Sequence, residues 1–297
     1  MAMWPAGTLR AGGAPILRSV HPALSVNGLS FGASRLDEDI AACRELGVQQ
    51  YVVPVAKLES AGWDAGVAAL AASDLVTASL LHPGWFTLDD PGRWPDEQAI
   101  LNRSIDAADA LGATAVYGTT GKKGALTWEA AADRFALAVA PVAARARAAG
   151  IDLTLETTNP LFADLSFLHC LPDALDVVEA SGLAVCVDLF VCWTDRGLRR
   201  AIERSAPRCP LVQVSDYVLG GRSMPTRAVP GDGDIPLAEL LGWVLGSGFA
   251  GVFDLELMGP RIDGEGAMGA LRRAGEWMGA LLDAGSHTPP RVGGDCG

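Results

Sequence analysis

The chain has 297 residues, a length that suits one large domain or two small ones. About half of the residues are hydrophobic, at 49%, so a sizeable core can be buried. The formal net charge of −12 argues against a nucleic acid partner, because an acidic surface repels phosphate backbones and no dense basic stretch compensates for it.

Neither the apolar runs nor the cysteines indicate a membrane or an oxidising compartment. No apolar run reaches the roughly 18 residues that a membrane-spanning helix needs, and the first residues lack a secretory pattern. The six cysteines are scattered without the paired spacing of a zinc site. We therefore expect a cytoplasmic protein with reduced thiols and no membrane partner.

Short apolar runs alternate along the chain with Ala- and Leu-rich helical stretches. Several helical stretches begin after a capping residue, such as Thr127, and several end at a glycine, such as Gly47 or Gly150. The predicted strands are 22–31, 48–55, 75–82, 113–119, 151–157, 183–190, 211–217 and 251–257. The predicted helices are 35–46, 61–73, 96–111, 127–149, 171–181, 195–205, 236–247 and 265–284.

Regular alternation of strand and helix favours parallel strands joined by helical crossovers. Eight repeats favour a closed (β/α)₈ TIM barrel, which places the chain in the α/β class with a single domain at 21–285. The alternative is a doubly wound open sheet, but residues 27–32 lack the glycine spacing that usually follows its first strand. We expect residues 1–20 to form an N-terminal extension and 286–297 a flexible C-terminal tail.

Acidic side chains end several of the later predicted strands, where a barrel of this kind carries its function. Glu156 ends the fifth strand, Asp188 lies near the end of the sixth and Glu256 ends the eighth. Period-two alternation directs such side chains into the barrel and their apolar neighbours towards the helices. Since buried carboxylates repel one another, the set predicts one divalent metal ion. The alternative is that each carboxylate caps a helix or pairs with an arginine.

The motifs around these residues resemble the sugar phosphate isomerase/epimerase superfamily, the xylose isomerase-like barrels. The resemblance covers most of the chain and is strongest from about 151 to 265. It rests on the glutamate in LTLETTNP, the aspartate in VCVDLF, the pair Gln213 and Asp216 in the seventh strand, the turn PGDGDIP and the glutamate in FDLELMG.

The resemblance implies a metal site formed by Glu156, Asp188, Gln213 and Glu256. The family typically has a histidine where this chain has Gln213. Because glutamine ligates through its carbonyl oxygen, the site becomes all-oxygen, which favours Mn²⁺ or Mg²⁺, with Co²⁺ or Zn²⁺ as the alternatives.

The implied activity is that of an isomerase or epimerase, acting on a sugar-like or cyclitol-like hydroxy-ketone through a metal-stabilised enediolate. Glu156 and Glu256 are the expected proton-transfer pair. A lyase or dehydratase, eliminating a group from the same enediolate of a keto-sugar or a keto-glycoside with an apolar group, is the alternative. A non-catalytic binding barrel is a third interpretation. The expected partner is a small-molecule substrate, and a homo-oligomer remains open.

Further side chains are candidates for contact with the substrate. His82 ends the third strand at the mouth, although a satisfied loop histidine is an equal alternative. The resemblance implies an arginine above the pocket, and of the two on the loop after the seventh strand we prefer Arg222 to Arg227.

An apolar loop follows Asp188 where the family's epimerases tend to carry a histidine. Phe190 and Trp193 in this loop are expected to face an apolar part of the substrate, with packing against neighbouring loops as the alternative. Asp216, three residues after Gln213, is expected either to hold a metal ligand in place or to act as a base.

Overall fold

The structure is a computed structural model that describes residues 20–285. Its centre is a closed barrel of parallel strands. The eight barrel strands in the described part of the chain are β1 Leu24–Asn27, β2 Gln50–Pro54, β3 Val76–Leu81, β4 Ala115–Gly118, β5 Asp152–Glu156, β6 Ala184–Asp188, β7 Leu211–Val214 and β10 Val252–Leu255. Around the barrel they follow the order β1-β10-β7-β6-β5-β4-β3-β2. The predicted single (β/α)₈ barrel is confirmed.

Helices follow the strands around the outside of the barrel. They are α1 Leu36–Leu46, α2 Val55–Ala61, α3 Trp63–Ala71, α4 Trp94–Ala110, α5 Trp128–Ala148, α6 Leu171–Ser181, α7 Leu189–Cys192, α8 Leu198–Ser205, α9 Leu237–Gly246, α10 Pro260–Glu265 and α11 Ala267–Gly285. Within residues 20–285, none has the length and apolarity for a membrane crossing. The predicted extension and tail lie, apart from Val20, outside the described residues.

The alternation of side chains along the strands separates two apolar regions. Leu153 and Leu155 belong to the large core between strands and helices. A small cluster fills the inside of the barrel; it consists of Val52, Leu81, Tyr117, Cys186 and Leu211. From this small cluster towards the C-terminal ends of the strands, the inward-facing residues of the later strands are polar. The barrel interior is therefore apolar around the cluster and charged towards the strand ends.

The strands are shifted relative to one another, as closure of a barrel requires. Asp188 is paired with Gln213, which is paired in turn with Asp254. Glu156 is level with Cys186, two residues before Asp188. The strand-end residues therefore do not share one register, and it is the stagger of the barrel that brings them to the same mouth.

A short antiparallel pair of strands stands apart from the barrel, after β7. It is formed by β8 Asp216–Tyr217 and β9 Arg227–Ala228, with Tyr217 paired to Arg227. The predicted strand 211–217 is thus two pieces, because the chain leaves the barrel after Val214. This pair carries an arginine to the mouth of the barrel.

Candidate active site

A guanidinium group lies among the carboxylates at the barrel mouth. Arg227 Nη2 is 2.7 Å from Asp188 Oδ2 and 3.0 Å from Glu256 Oε1. Its Nη1 is 3.3 Å from Asp188 Oδ1 and 2.9 Å from Ser215 Oγ. Arg227 is 6% exposed, so these ion pairs are shielded from water and stronger than pairs at the surface. The guanidinium joins Asp188, which ends β6, to Glu256, which directly follows β10.

The position of Arg227 is fixed by its backbone and by an aromatic ring. Its N–H donates to the carbonyl of Met258 at 3.1 Å, and its guanidinium carbon lies 4.6 Å from the centre of the Phe190 ring. Arg222, the arginine expected from the sequence to contact the substrate, is exposed on the same loop. The local sequence distinguishes the two arginines: Arg222 follows two glycines, whereas Arg227 stands in the strand-like stretch Thr-Arg-Ala-Val.

The amide of Gln213 has one satisfied end and one unsatisfied end. Its Nε2 donates to Glu256 Oε2 in a short contact and to Tyr117 Oη at 3.3 Å. Its Oε1 is buried and has no hydrogen-bond partner within the described residues. Two acceptors therefore fix the direction of the amide, and the carbonyl oxygen is left as an unused acceptor.

Neutral side chains and one further acid form the floor beneath these groups. Asn27 Nδ2 lies 2.7 Å from Tyr117 Oη, 2.8 Å from Asp254 Oδ2 and 3.5 Å from Glu256 Oε2. Ser25 Oγ donates to Asp254 Oδ1 at 2.6 Å. The sequence analysis did not single out Asn27 or Tyr117, because their hydrogen-bond partners are far away along the chain.

Burial and mutual repulsion shift the acids of the site towards their neutral forms. Burial, followed by the charges of Glu256 and Asp188, raises the pKa of Glu156 well above its usual range. Burial raises the pKa of Glu256 to about 7, although Arg227 opposes it, and raises that of Asp254 to about 6. Burial alone lowers the pKa of Arg227, but Asp188 and Glu256 outweigh it and raise the pKa above its usual range. Groups that titrate near neutral pH are suited to proton transfer.

Two predicted residues have contacts that lead away from the carboxylates. His82 Nδ1 is 2.8 Å from Ser104 Oγ on α4, and burial lowers the pKa of His82 to about 4. Asp216 accepts hydrogen bonds from four backbone N–H groups of its own loop. These contacts fit a neutral histidine braced on a helix and a carboxylate that organises the loop after β7.

The two predicted aromatic residues lie together on the rim. Phe190 and Trp193 have ring centroids 6.0 and 6.3 Å from that of Tyr217. Asp188 Oδ1 accepts from the N–H of Phe190 at 2.9 Å, which caps α7 at its start. This cap explains why the sixth strand ends at Asp188 rather than at residue 190, and it aligns Phe190 beneath Arg227.

The expected ligands of the divalent ion, Glu156, Asp188, Gln213 and Glu256, are all oxygen donors. Across residues 20–285, no three His, Cys, Asp or Glu side chains stand together as a preformed metal cluster. Two observations nevertheless fit a hard cation. The buried Oε1 of Gln213 has no partner among the described residues. A single arginine also faces Glu156, Asp188, Glu256 and Asp254, so the carboxylates outnumber the cation. Metal binding stays a prediction that these oxygen donors fit.

The fold and the acid-lined mouth define an α/β barrel with buried ionisable side chains at the ends of its strands. The chain belongs to the xylose isomerase-like TIM barrel family, whose model matches residues 40–281. A Streptomyces coelicolor protein named "Putative hydroxypyruvate isomerase" is 31% identical over 209 residues, which cover 67% of this chain and 72% of the relative. The family resemblance drawn from the sequence is confirmed.

Solved structures share the fold at lower identity. Protein SMc04130 from Sinorhizobium meliloti 1021 has a TM-score of 0.79 at 23% identity, with 86% of this chain and 96% of that chain covered. The IOLI protein with a bound zinc atom has a TM-score of 0.76 at 17% identity, with 88% and 98% covered. At these identities the likeness concerns the barrel alone.

Proposed function

We propose that the chain is a divalent-cation-dependent isomerase or epimerase of a small hydroxy-ketone, with Glu156 and Glu256 as the proton-transfer pair. The observation that carries the proposal is the placement of these two buried glutamates at the ends of β5 and β10, close enough for the charge of one to raise the pKa of the other. The name of the Streptomyces relative supports an isomerase of a small hydroxy-ketone.

The reaction asks for two groups that exchange protons with carbon. One glutamate removes the proton from the carbon that bears the hydroxyl group, and the electron pair of that C–H bond forms the enediolate. The other glutamate returns a proton to one of two places. Return to the neighbouring carbon, with the original hydroxyl proton passing to the former carbonyl oxygen, isomerises the substrate, and return to the opposite face of the same carbon epimerises it. The strands β5 and β10 are separated by β6 and β7 in the barrel, so the two acids would reach a bound substrate from different sides.

The cation would be held by Glu156, Asp188, Gln213 and Glu256, for which the unused carbonyl oxygen of Gln213 is the supporting observation. When bound, such an ion stabilises negative charge as it develops on the substrate oxygens. A zinc atom in the IOLI relative supports a metal in this family of barrels, and the all-oxygen set here favours Mn²⁺ or Mg²⁺.

Arg227 narrows the proposed substrate class. A buried guanidinium at the mouth complements an anionic group, because Arg pairs with carboxylates in a planar, two-point geometry. This favours a hydroxy-keto acid over a neutral ketose, in agreement with the relative's name. Phe190 and Trp193 contact Tyr217, which matches the packing alternative for these two rings, so their positions do not specifically favour the lyase alternative.

The test is proton–deuterium exchange in heavy water, with small hydroxy-ketones offered with and without a carboxylate and with Mn²⁺ added. Glu156→Gln and Glu256→Gln should each slow exchange at the substrate carbon by about 10²-fold or more, because an amide cannot act as a general acid or base near neutral pH. Glu239→Gln, an exposed glutamate on α9, is the matched control. If both site variants keep their metal and exchange at the wild-type rate, the proposed roles are wrong.

A further inference from the structure

Every oxygen of Asp188 and Glu256 already has a donor in this structure. Asp188 Oδ1 accepts from the N–H of Phe190, and both of its oxygens face Arg227. Glu256 Oε1 faces Arg227, while Oε2 accepts from Gln213. By contrast, Gln213 Oε1 has no hydrogen-bond partner within the described residues, and no side-chain hydrogen bond contributes to the pKa of Glu156. Arg227 therefore contacts two of the four expected ligands, Asp188 and Glu256, and neither of the other two.

A guanidinium and a metal ion cannot use the same lone pairs at the same time. A divalent ion binds oxygen at roughly 2.0–2.6 Å. Arg227 Nη2 stands 2.7 Å from Asp188 Oδ2 and 3.0 Å from Glu256 Oε1, and both carboxylates are among the residues that would hold the proposed cation. Two positive charges in so small a gap also repel each other strongly where water is excluded.

We propose that Arg227 is a built-in counter-ion, which competes with the divalent cation for Asp188 and Glu256 and withdraws from them when the cation binds. The inference rests on the cation of the proposed function and adds a control on its binding. In the metal-free protein the guanidinium neutralises the two carboxylates, and the cation has to displace it. The measured affinity for the cation is therefore weaker than the four ligands alone would give.

The surroundings of Arg227 suit an exchange of this kind. The side chain is carried by β9, which lies outside the barrel and, among the strands of residues 20–285, pairs with the two-residue strand β8 alone. The guanidinium also contacts the hydroxyl of Ser215 and the face of Phe190, neither of which carries a charge. The guanidinium is thus held mainly by the two carboxylates that the cation would take.

The experiment is a calorimetric titration of the metal-free protein with Mn²⁺. Arg227→Met, which keeps the apolar stem but removes the charge, should bind Mn²⁺ at least about tenfold more tightly than wild type. The matched control is Arg222→Met, which removes the same charge from an exposed arginine of the same loop and should change the affinity by less than about twofold. In a chelator, Arg227→Met should melt at a lower temperature than wild type, and Mn²⁺ should raise its Tm by more than it raises that of wild type.

Arg227→Lys keeps the inference open to test if the methionine variant does not fold. A single ammonium replaces the planar fork, so it should hold the two carboxylates less well and give an affinity between the other two. Equal Mn²⁺ affinity for wild type and Arg227→Met would overturn the competition while leaving the cation site intact, and so would weaker binding by Arg227→Met. Absence of Mn²⁺ binding in every variant would overturn the cation of the proposed function as well.

Discussion

The carboxylate of Asp216 offers a direct test of how the loop after β7 is built. Its Oδ1 accepts from the N–H groups of Tyr217 and Ile235, at 2.8 and 3.1 Å. Its Oδ2 accepts from Gly231 and Gly233, both at 3.0 Å. In Asp216→Asn one oxygen becomes an NH₂ group, which cannot accept. Whichever way the amide turns, two of the four hydrogen bonds are lost.

The expected cost follows from the burial of this group. A hydrogen bond to a charged acceptor contributes about 1.5–3 kcal/mol, so losing two costs roughly 3–6 kcal/mol. Asp216 is 1% exposed, and water therefore has little access to the abandoned N–H groups. We expect this loss to appear as local opening of the loop between residues 217 and 235. Because this loop carries Arg227, the KM for an anionic substrate should rise as well.

The assay combines urea unfolding with hydrogen exchange of the backbone amides of the loop. Asp234→Asn is the matched control, because Asp234 accepts one backbone hydrogen bond, from Leu219 at 2.8 Å, on the exposed side of the same loop. It should cost about 1 kcal/mol or less. A free energy of unfolding for Asp216→Asn within about 0.5 kcal/mol of wild type, with the loop amides still protected from exchange, would contradict this expectation. If the loop stays intact but proton–deuterium exchange at the substrate carbon is lost, Asp216 would instead be identified as a base.

Three other variants probe the floor of the site, the histidine and the packing of the barrel. Tyr117→Phe removes an acceptor of Gln213 Nε2 and frees the amide to turn, so Mn²⁺ affinity should fall several-fold, roughly by the worth of one hydrogen bond. The loss should vanish in a Gln213→Glu background, where both side-chain oxygens are equivalent. Burial lowers the pKa of His82 to about 4, below an unfolded value near 6.5, so the unfolded chain binds the extra proton first as the pH falls. Wild type should therefore lose up to about 3 kcal/mol between pH 6.5 and 4, and urea midpoints of His82→Gln should show a flatter profile. Gly118→Ala places a Cβ 1.9 Å from a backbone carbonyl oxygen and should lower the Tm sharply, whereas Gly242→Ala, which meets nothing within 4 Å on α9, should leave it unchanged or raise it.

The barrel itself was predictable because its signal is repeated eight times. Each apolar run and each glycine-terminated helix adds to the same periodic pattern, and a misplaced boundary does not alter it. The boundaries that differ have local causes. The sixth strand stops at Asp188 because that carboxylate caps α7. The seventh stops at Val214 because the chain then leaves the barrel and forms β8, which pairs with β9. Apolar periodicity carries no information about either contact.

The sequence predicted the candidate site only where the alternation along one strand determines which face a residue occupies. Period-two alternation placed Glu156 and Glu256 on the inner face of the barrel, and the structure has both buried at the mouth. It does not specify which side chain crosses from a loop, so Arg227 was passed over for Arg222. It does not specify rotamers either, and His82 turns to Ser104 on α4. Contacts between residues that are distant along the chain depend on closure of the barrel.

The charged and the neutral side chains of the site come from different halves of the chain. The four expected ligands and Arg227 all come from residues after 150, whereas Asn27 and Tyr117 come from the first half and carry no charge. Hydrogen bonds from Asn27 to Asp254 and from Gln213 to Tyr117 cross between the halves. A fragment limited to 151–285 would hold the full set of charges without the neutral groups that solvate them inside the protein. The charged side chains at the mouth thus come from one half of the chain, while neutral donors and acceptors from the other half help these charges to be buried.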